Sequence, residues 1–284
     1  MKIGILIDSG GAITNEEILK TKNIDIIPLH VVLGDNTEFL DINENILKHN
    51  VFERVSNKEA VSTSMASPGE LEEKYDEMLK IYDHIYHLTI TPNLSGMKNT
   101  ALMVSQDEKY TGKITVVDHF TAANGIKYTA LKMRQLADKG ITDPEEYKKV
   151  ADEASNKIFL GLIPGDISKL NKGGRAKGIL INLLKIIKTK FLIQWGEHPK
   201  NAGLSRTVKG IVKKATNIGF EMSGNDAKVI LVKTIKTNDE LVETAKKELD
   251  ANGITYTVEL IPSIYGCHAG TETIGIIMIP QTLL

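Results

Sequence analysis

Short apolar runs alternate with longer amphipathic segments along the first 140 residues of the chain. The apolar runs have the length and the richness in Ile, Leu and Val that are typical of buried strands. The amphipathic segments carry apolar residues at the spacing of one helix face. Strands that alternate with helices in this way form a parallel sheet covered by helices. The pattern predicts strands over 2–7, 25–33, 85–90 and 113–117, and helices over 15–22, 41–50, 69–81, 97–104 and 122–139. Residues 61–67 are predicted as a hydroxyl-rich loop.

The second half of the chain shows the same alternation less regularly. Asp143-Pro144 starts a helix that ends near Lys157, and we interpret this helix as the connector between two α/β domains, over residues 1–157 and 158–284. The first domain is expected to hold a mainly parallel, helix-covered sheet, and the second, smaller domain a mixed sheet. Further strands are predicted over 158–163, 191–195, 228–233, 256–261 and 273–279, further helices over 167–171, 178–187, 205–220 and 239–252, and a loop over 262–270.

Polar residues directly follow three of the predicted strands, at Asp8-Ser9, Asn93-Leu94-Ser95 and Asp118-His119. In open α/β sheets, ligands bind at this carboxyl edge of the strands. Ser95 stands between a strand and a helix, where unpaired N–H groups and the helix dipole favour an anion. We interpret this turn as a carboxylate site, and the alternative is that Ser95 merely caps the helix.

Composition narrows the classes of function. Apolar residues make up 42% and charged residues 25% of the chain, which is an ordinary balance for a soluble globular protein. The net charge of −1 gives no global basic field for nucleic acid or an anionic membrane, and aromatic residues, at 5%, offer few stacking platforms. The single cysteine, Cys267, suits a reducing cytosol, so a cytoplasmic location is expected. Neither a signal peptide nor a transmembrane segment is expected.

Several common chemistries lack their motifs. No Gly-x-Gly-x-x-Gly follows a predicted strand, and the glycines between Gly173 and Gly178 lack the Lys-Ser/Thr ending of a phosphate loop. His84 and His87 lie at the start of a predicted strand and do not have the spacing of zinc ligands on a helix. We therefore expect no metal or other cofactor.

The remaining candidates are hydroxyl groups, one arginine and one histidine. Arg175 follows two glycines, whose backbone freedom suits a cation that is aimed at a ligand, and the alternative is a plain surface arginine. His268 lies in the predicted loop before Gly270, as either a functional or a structural histidine. The candidate hydroxyl groups belong to Ser9, Thr63, Ser64 and Ser95.

Taken together, these stretches resemble the DegV family of bacterial fatty-acid-binding proteins, which present a lipid to a fatty-acid kinase. The resemblance implies two α/β domains with an acyl chain buried between or within them. It also implies that Thr63 and Ser95 hold the carboxylate, within a site that includes Ser64, Ser9, Arg175 and His268. The matching stretches follow the family's order and are Ile7-Asp8-Ser9, Thr63-Ser64-Met65-Ala66-Ser67, Leu94-Ser95-Gly96, Asp118, Gly173-Gly174-Arg175 and His268-Ala269-Gly270.

The chain departs from the family pattern at three places. Met65-Ala66 stands where the family usually has Gln-Pro, Gly96-Met97-Lys98 where it has Gly-Thr-Tyr, and Gly270-Thr271-Glu272 where it has Gly-Pro-Gly. These departures bear on the preferred chain length and on the shape of the head-group pocket.

The resemblance implies a binding protein without catalysis of its own, whose ligand is a long-chain fatty acid and whose partner is a fatty-acid kinase. The alternative is a serine hydrolase that uses Ser95 as nucleophile and His268 as base, with Asp8 or Asp118 as orienter, although no nucleophile-elbow glycine precedes Ser95. A third interpretation is a sensor or structural protein that holds another amphiphile.

A run of cations lies on the predicted helix 205–220. Arg206, Lys209, Lys213 and Lys214 have spacings that place them on a shared helix face. This basic face is either a solvated surface or the surface that docks the kinase.

Overall fold

A computed structural model describes residues 1–12, 23–172 and 189–284. The predicted helices 15–22 and 178–187, together with Gly173, Gly174 and Arg175, lie outside the described residues. The described strands are β1 (Ile3–Asp8), β2 (Ile24–Ile27), β3 (His30–Leu33), β4 (Glu38–Leu40), β5 (Val61–Ser64), β6 (His84–Leu88), β7 (Ile114–Val116), β8 (Phe159–Ile163), β9 (Lys190–Trp195), β10 (Lys200–Ser205), β11 (Lys228–Lys233), β12 (Tyr256–Leu260) and β13 (Ile274–Ile279).

The helices cover the faces of these sheets. Short 3-10 helices lie at Ser9–Gly11 and Gln281–Leu283. The described α-helices are α1 (Asn43–Lys48), α2 (Val51–Ser56), α3 (Pro68–Met78), α4 (Met97–Ser105), α5 (Asn124–Asp138), α6 (Pro144–Lys157), α7 (Ile167–Lys172), α8 (Val208–Ser223), α9 (Asp239–Ala251) and α10 (Ser263–Ala269).

The first sheet has the order β2-β1-β6-β7 and is parallel throughout, which confirms the predicted architecture. All six residues of β1 are buried, because helices cover both faces of this central strand. Residues of α3 and α4 pack on one face, with Leu71 and Met97 in the same core cluster as Leu6. On the other face, Ile126 of α5 packs into the cluster that contains Ile5.

A second, antiparallel sheet of order β4-β3-β5 corrects two predictions. The predicted strand 25–33 is two strands in different sheets, because Pro28 has no N–H group with which to continue the ladder. The stretch 61–67 was predicted as a loop, but residues 61–64 form β5, in which Thr63 pairs with Val31 of β3. The predicted helix 41–50 is wrong at its end, because Asn50 takes a left-handed backbone conformation and α2 begins after it.

The third sheet has the order β10-β9-β8-β13-β11-β12 and is mixed, as predicted. Only the β11–β12 pair is parallel among the described strands of this sheet. Helices α8 and α9 pack on one face, whereas Leu160, Ile193 and Ile277 on the other face share a core cluster with Ile126 of α5. The two halves of the chain therefore meet across an apolar layer.

Three further predictions in the second half are wrong. Strand β10 was not predicted, because its sequence, Lys-Asn-Ala-Gly-Leu-Ser, has no β-branched or aromatic residue. Helix α8 begins at Val208 with Thr207 as its N-cap, so Arg206 precedes the helix instead of lying on it. The predicted loop 262–270 contains helix α10, which buries Ile264 and Cys267.

Candidate functional site

A mainly apolar cavity lies where the two halves of the chain meet. It comprises about 550 Å³ of space, part of which is open to solvent. We call it the front chamber. Its lining residues are Leu29, Thr63, Ser64, Met65, Ile90, Leu94 and Ser95 from the first half and Leu162, Leu170, Trp195, Ile264, Tyr265, His268 and Ala269 from the second.

The structure brings four of the predicted site residues to this chamber, namely Thr63, Ser64, Ser95 and His268. Ser9 is not among the described residues that line it, and Arg175 lies outside the described residues. Among the described lining residues, these polar side chains stand in a wall that is otherwise built from Leu, Ile, Met, Trp, Tyr and Ala. Such a surface suits a ligand with a small polar group and a large apolar part.

Ser95 serves the start of helix α4 and still faces the chamber. Its Oγ accepts a hydrogen bond from the backbone N–H of Met97 at 3.1 Å, and Gly96 occupies the N-cap position. A serine hydroxyl has one proton to donate besides the lone pairs with which it accepts. The Ser95 proton therefore stays available for an acceptor in the chamber, and the alternative that Ser95 is the N-cap of the helix is wrong, because Gly96 holds that position.

A hydrogen bond between the side chains of Thr63 and His268 joins the first half of the chain to the second. The Thr63 Oγ1 and His268 Nε2 atoms lie 2.8 Å apart. When the imidazole carries its proton on Nε2, it donates to Oγ1 and leaves the threonine proton free to donate to a ligand. In the other tautomer the threonine donates to the histidine. The pair can thus present either a donor or an acceptor to the chamber.

Ser64 has a partner outside the chamber. Its hydroxyl donates to Glu38 Oε1 on β4 of the same sheet at 2.9 Å, and the residue is exposed. The same carboxylate lies 3.2 Å from His30 Nδ1, and Glu70 lies 2.9 Å from His30 Nε2. Ser64 therefore belongs to a series of linked polar side chains that continues through Glu38 and His30, although it also lines the chamber.

Ser9 does not line the chamber but contacts the backbone of Leu29, which does. Its hydroxyl donates to Asp41 Oδ2 at 2.7 Å and accepts the N–H of Leu29 at 3.1 Å. Leu29 lines the chamber, whereas Ser9 lines a separate groove together with Asp41. The observed contact of Ser9 is thus with the backbone that positions the wall.

Asp8 holds the neighbouring strand end in the same way. This fully buried carboxylate accepts the N–H groups of Gly10 at 2.9 Å and of Ile90 at 2.5 Å. Burial raises the pKa of Asp8 to about 7, against the lowering effect of these two bonds. Ile90 lines the chamber and leads into the Ser95 turn, so Asp8 fixes the path of that turn.

Sequence reasoning missed Tyr265 as a site residue, and it placed Asn93 at the edge of the sheet without the contacts that Asn93 makes. The Tyr265 hydroxyl accepts the N–H of Ala123 at 2.8 Å and donates to the carbonyl of Gly10 at 3.1 Å. Asn93 Nδ2 donates to the carbonyls of Gly196 and Glu197, each at 3.0 Å, just after the chamber residue Trp195. The sequence signal for Tyr265 is its place beside Ile264 and three residues before His268, which puts all three on one turn of helix.

A second apolar cavity comprises about 310 Å³ of space, part of which is open to solvent, and we call it the rear chamber. Leu162, Trp195 and Tyr265 line both chambers. The other lining residues of the rear chamber are Ala122, Ala123, Leu160, Gly161, Val232, Ile261 and Ile277.

The predicted basic residues lie on the surface of the second half. Arg206, Lys209, Lys213 and Lys214 are all exposed. The Lys214 ammonium donates to the carbonyl of Leu204 at 2.6 Å, and no ion pair with a described residue involves the other three. Lys214 therefore supports the end of β10, while the other three cations face solvent.

The sheet register places Arg206 at the end of the third sheet at which β8 also ends. Ser205 pairs with Lys190 at the start of β9, and Ile193 of β9 pairs with the chamber residue Leu162. Arg206 therefore follows β10 at the end of the sheet at which β8 also ends. Just past that edge, the N–H of Asp166 donates to the carbonyl of Ala269, next to His268.

The described residues show neither a metal-binding cluster nor a membrane-spanning helix. No cluster of three or more His, Cys, Asp and Glu side chains is placed to hold a metal ion there. Within the same ranges, no helix has both the length and the apolar character that a bilayer crossing requires.

Comparison with known proteins places the chain in a family. The model of the DegV family, with the description "uncharacterised protein, DegV family", matches residues 2–281. A DegV domain-containing protein from Staphylococcus aureus is 26% identical over 98% of this chain and 99% of its own length. A fatty acid-binding protein from Thermotoga maritima is 27% identical over 97% of this chain and 96% of its own length.

Solved structures have the same fold. A fatty-acid-binding DegV family protein from Thermus thermophilus superposes with a TM-score of 0.84 at 22% identity, over 99% of this chain and all of its own. A fatty acid binding DegV family protein from Streptococcus agalactiae gives a TM-score of 0.85 at 18% identity, over 99% of both chains. Because the family model covers nearly the whole sequence, this chain is a member of the DegV family.

Proposed function

We propose that this protein binds a long-chain fatty acid, with the carboxylate at Thr63 and Ser95 and the acyl chain in the apolar chambers. The observation that carries the proposal is the front chamber, where hydroxyl donors and one histidine stand in an otherwise apolar wall. Two family members are described as fatty-acid-binding proteins, one from Thermotoga maritima and one from Thermus thermophilus.

The apolar lining explains how such a ligand would gain affinity. Each buried methylene contributes roughly 0.8 kcal/mol, so about fourteen of them give on the order of 11 kcal/mol before the costs of association. A buried carboxylate must also receive hydrogen bonds or a counter-charge. The Ser95 and Thr63 hydroxyls supply short neutral donors, and the start of helix α4 adds a favourable dipole.

The geometry favours carriage of a lipid over its hydrolysis. His268 Nε2 is bonded to Thr63, and Ser95 Oγ accepts the N–H of Met97. The two candidate orienters are also engaged elsewhere, since Asp8 holds Ile90 and Asp118 pairs with Lys98. A serine hydrolase would need the serine, the histidine and a carboxylate in one bonded series.

We further propose that a separate fatty-acid kinase phosphorylates the bound carboxylate. His268 and Arg175 would act mainly in the hand-over, because an arginine remains charged and has a long reach, which suits a phosphate donor at the mouth. Support for His268 comes from its place on the chamber wall. Arg175 stays a sequence-based assignment.

The kinase would dock on the basic surface formed by Arg206, Lys209 and Lys213. Three exposed cations that lie within eight residues of one another form a positive patch on a protein of nearly zero net charge. Such patches accelerate association with a negatively charged partner and give it a strong salt dependence.

Lipid extraction and calorimetry test the central proposal. Purified protein is expected to release a long-chain fatty acid into organic solvent, and the delipidated protein to bind palmitate again. Thr63→Ala and Ser95→Ala should each weaken binding by about 1.5–3 kcal/mol, since each removes a hydrogen bond to a charged group. The double variant should lose more than either single variant.

Ser62→Ala is the matched control, because Ser62 is an exposed serine on the same strand that does not line the chamber. Its affinity for palmitate should equal that of the parent protein. The carboxylate assignment fails if the double variant binds as tightly as the Ser62→Ala control. The binding proposal itself fails if the parent protein neither releases nor rebinds a fatty acid.

A further inference from the structure

Three side chains form the boundary between the two chambers. Leu162, Trp195 and Tyr265 line both cavities, and the rest of the rear chamber is built from Ala, Gly, Val, Leu and Ile. A ligand held by its polar end at Thr63 and Ser95 reaches the rear chamber by passing these three residues. These three side chains therefore stand between the two cavities, and we call the boundary that they form the narrowing.

Tyr265 differs from its two neighbours at the narrowing because its side chain is held at its tip. The hydroxyl accepts the N–H of Ala123 at 2.8 Å and donates to the carbonyl of Gly10 at 3.1 Å. Its backbone belongs to α10 in the second half of the chain, while both partners belong to the first half. The ring cannot swing aside without losing both hydrogen bonds.

One of these partners has an unusual backbone conformation. Ala123 has φ 48° and ψ −126°, a region that residues other than glycine rarely adopt. Such strain persists where the surroundings over-determine the backbone, and it concentrates at binding sites. The bond from Ala123 N–H to Tyr265 is one of the contacts that hold it, and Ala123 itself lines the rear chamber.

We propose that Tyr265 is a specificity-determining residue whose fixed ring selects the fatty acids that extend into the rear chamber. The proposal rests on fatty-acid binding as proposed above and assigns the narrowing a role in choosing among acyl chains. A straight chain passes the fixed ring, whereas a chain bent at that level requires the ring to move. The affinity for fatty acids that are too short to reach the narrowing does not depend on Tyr265.

The first test is a series of saturated fatty acids from ten to eighteen carbons, measured by calorimetry on delipidated protein. In the parent protein each methylene that enters the rear chamber should tighten binding about fourfold. Tyr265→Trp places a larger ring at the narrowing. This variant should bind stearate at least about tenfold more weakly than the parent while binding the shortest chains as before, because one lost methylene costs several-fold.

The second test removes only the hydroxyl group. Tyr265→Phe keeps the ring and loses both hydrogen bonds, so the ratio of stearate to oleate affinity should fall toward one. Tyr256→Phe is the matched control, because Tyr256 lies on β12 and lines neither chamber. This control should keep the parent's ratio.

The two tests separate the possible failures. If both Tyr265 variants keep the parent's chain-length profile and stearate-to-oleate ratio, Tyr265 is not a selector and the proposal is overturned. If the parent protein binds no member of the series, the fatty-acid function is what fails. Should circular dichroism show that Tyr265→Trp is unfolded, the Tyr265→Phe ratio decides alone.

Discussion

At the scale of single residues, the front chamber uses hydroxyl groups that also have structural bonds. Ser95 accepts an N–H from the start of α4, and Thr63 is joined to His268. Hydroxyl groups can do both because they donate and accept at once. Lysine or arginine at the same positions would bring a larger desolvation cost into this apolar wall.

Ala123 provides a stability prediction at this scale. Replacement of Ala123 by glycine should relieve about 1–3 kcal/mol of backbone strain, of which the greater flexibility of the unfolded chain cancels up to about 1 kcal/mol. The variant is therefore expected to unfold at the same urea concentration as the parent or at a higher one. Ala130→Gly is the control, because Ala130 is a buried residue with helical geometry in α5, where glycine costs about 1 kcal/mol. Equal destabilisation by both changes would show that Ala123 is not strained.

Four buried groups give the protein opposing responses to pH. Burial raises the pKa of Asp8 to about 7 and that of Asp41 to about 6. In the unfolded chain these aspartates have the ordinary pKa of 3.8 and lose their protons above that pH, whereas the folded state still holds them. These carboxyls favour folding as the pH falls through 7 and 6. Burial lowers the pKa of His87 to about 3 and that of His119 to about 4, so the unfolded chain takes up protons below 6.5 and disfavours folding.

Removal of the Asp8 carboxyl should make the destabilisation at low pH that His87 and His119 cause easier to measure. In Asp8→Asn the folded state loses one of its extra protons, so the free energy of unfolding should fall by about 1 kcal/mol more per pH unit than in the parent, between pH 7 and 5. Urea titrations at several pH values measure this slope, which is separate from any constant loss caused by the altered hydrogen bonds. Asp152→Asn, at an exposed site, is the control. Parallel slopes for Asp8→Asn and the parent would contradict the raised pKa.

The sequence could identify site residues whose positions are marked by local patterns. Thr63, Ser95 and His268 stand in short ordered motifs, and the structure places all three on one chamber. Tyr265 and Asn93 act through partners that lie 142 and 103 residues away in the chain. No local pattern reports such contacts, because they depend on how the two halves meet.

At the scale of elements, helix α10 carries four residues of the front chamber and depends on one glycine. A Cβ atom at Gly266 would stand 2.6 Å from the buried ring of Phe52 in α2. Gly266→Ala should therefore push α10 away from α2, destabilise the fold by about 1–3 kcal/mol and weaken fatty-acid binding through the displaced His268. Thermal unfolding and calorimetry measure the two effects.

Gly69→Ala is the control for this helix change. Gly69 lies in the first turn of α3, and a Cβ atom there meets nothing within 4 Å. This variant should be neutral or slightly stabilising, because alanine favours the helix. An unaffected Gly266→Ala variant would mean that α10 is not tightly seated on α2.

Asn93 links two elements across the front chamber. Asn93→Ala removes both hydrogen bonds to the turn between β9 and β10, while the apolar lining stays in place. The fatty acid should dissociate faster, because the wall that contains Trp195 is held less firmly, whereas thermal stability should change little at this exposed site. Stopped-flow transfer of a fluorescent fatty acid to albumin measures the rate. Asn99→Ala, at an exposed asparagine in α4, should leave it unchanged.

Elements were predictable where periodicity decided them. The parallel strands β1 and β6 and the helix α6 follow from apolar runs and capping residues. Strand β10 and helix α10 were missed because one lacks strand-forming residues and the other is seven residues long. The division of residues 24–33 between two sheets depends on which neighbours pair with them, and the apolar run does not contain that information.

At the scale of the whole molecule, the two halves are joined around the chambers by contacts of several kinds. Thr63 bonds to His268 beside the front chamber, and the Lys127 ammonium of α5 lies 3.0 Å from Glu259 on the edge strand β12. The rear chamber lies within the apolar layer that both halves share. A ligand in this interface touches both halves, so it should stabilise the entire fold.

That coupling can be measured by thermal unfolding. Palmitate at a hundred times its dissociation constant should stabilise the delipidated protein by about 2.7 kcal/mol, because it binds the folded state alone. The gain should shrink in Thr63→Ala and Ser95→Ala in proportion to their loss of affinity. If palmitate leaves the melting temperature of the parent protein unchanged, binding at the interface is contradicted.

The last prediction concerns recognition by the kinase. Lys209 and Lys213 are one helical turn apart, both exposed, and close in the chain to Arg206, which follows β10. Lys209→Glu combined with Lys213→Glu should slow acyl-phosphate formation at low salt and reduce its salt dependence, because exposed charges act mainly on the association rate. Calorimetry should find the affinity for palmitate unchanged, since neither lysine lines a chamber. The matched control reverses Lys139 and Lys148, which are exposed in the first half and give the same change of net charge. If both double variants slow phosphorylation equally, overall charge is responsible and the docking surface lies elsewhere.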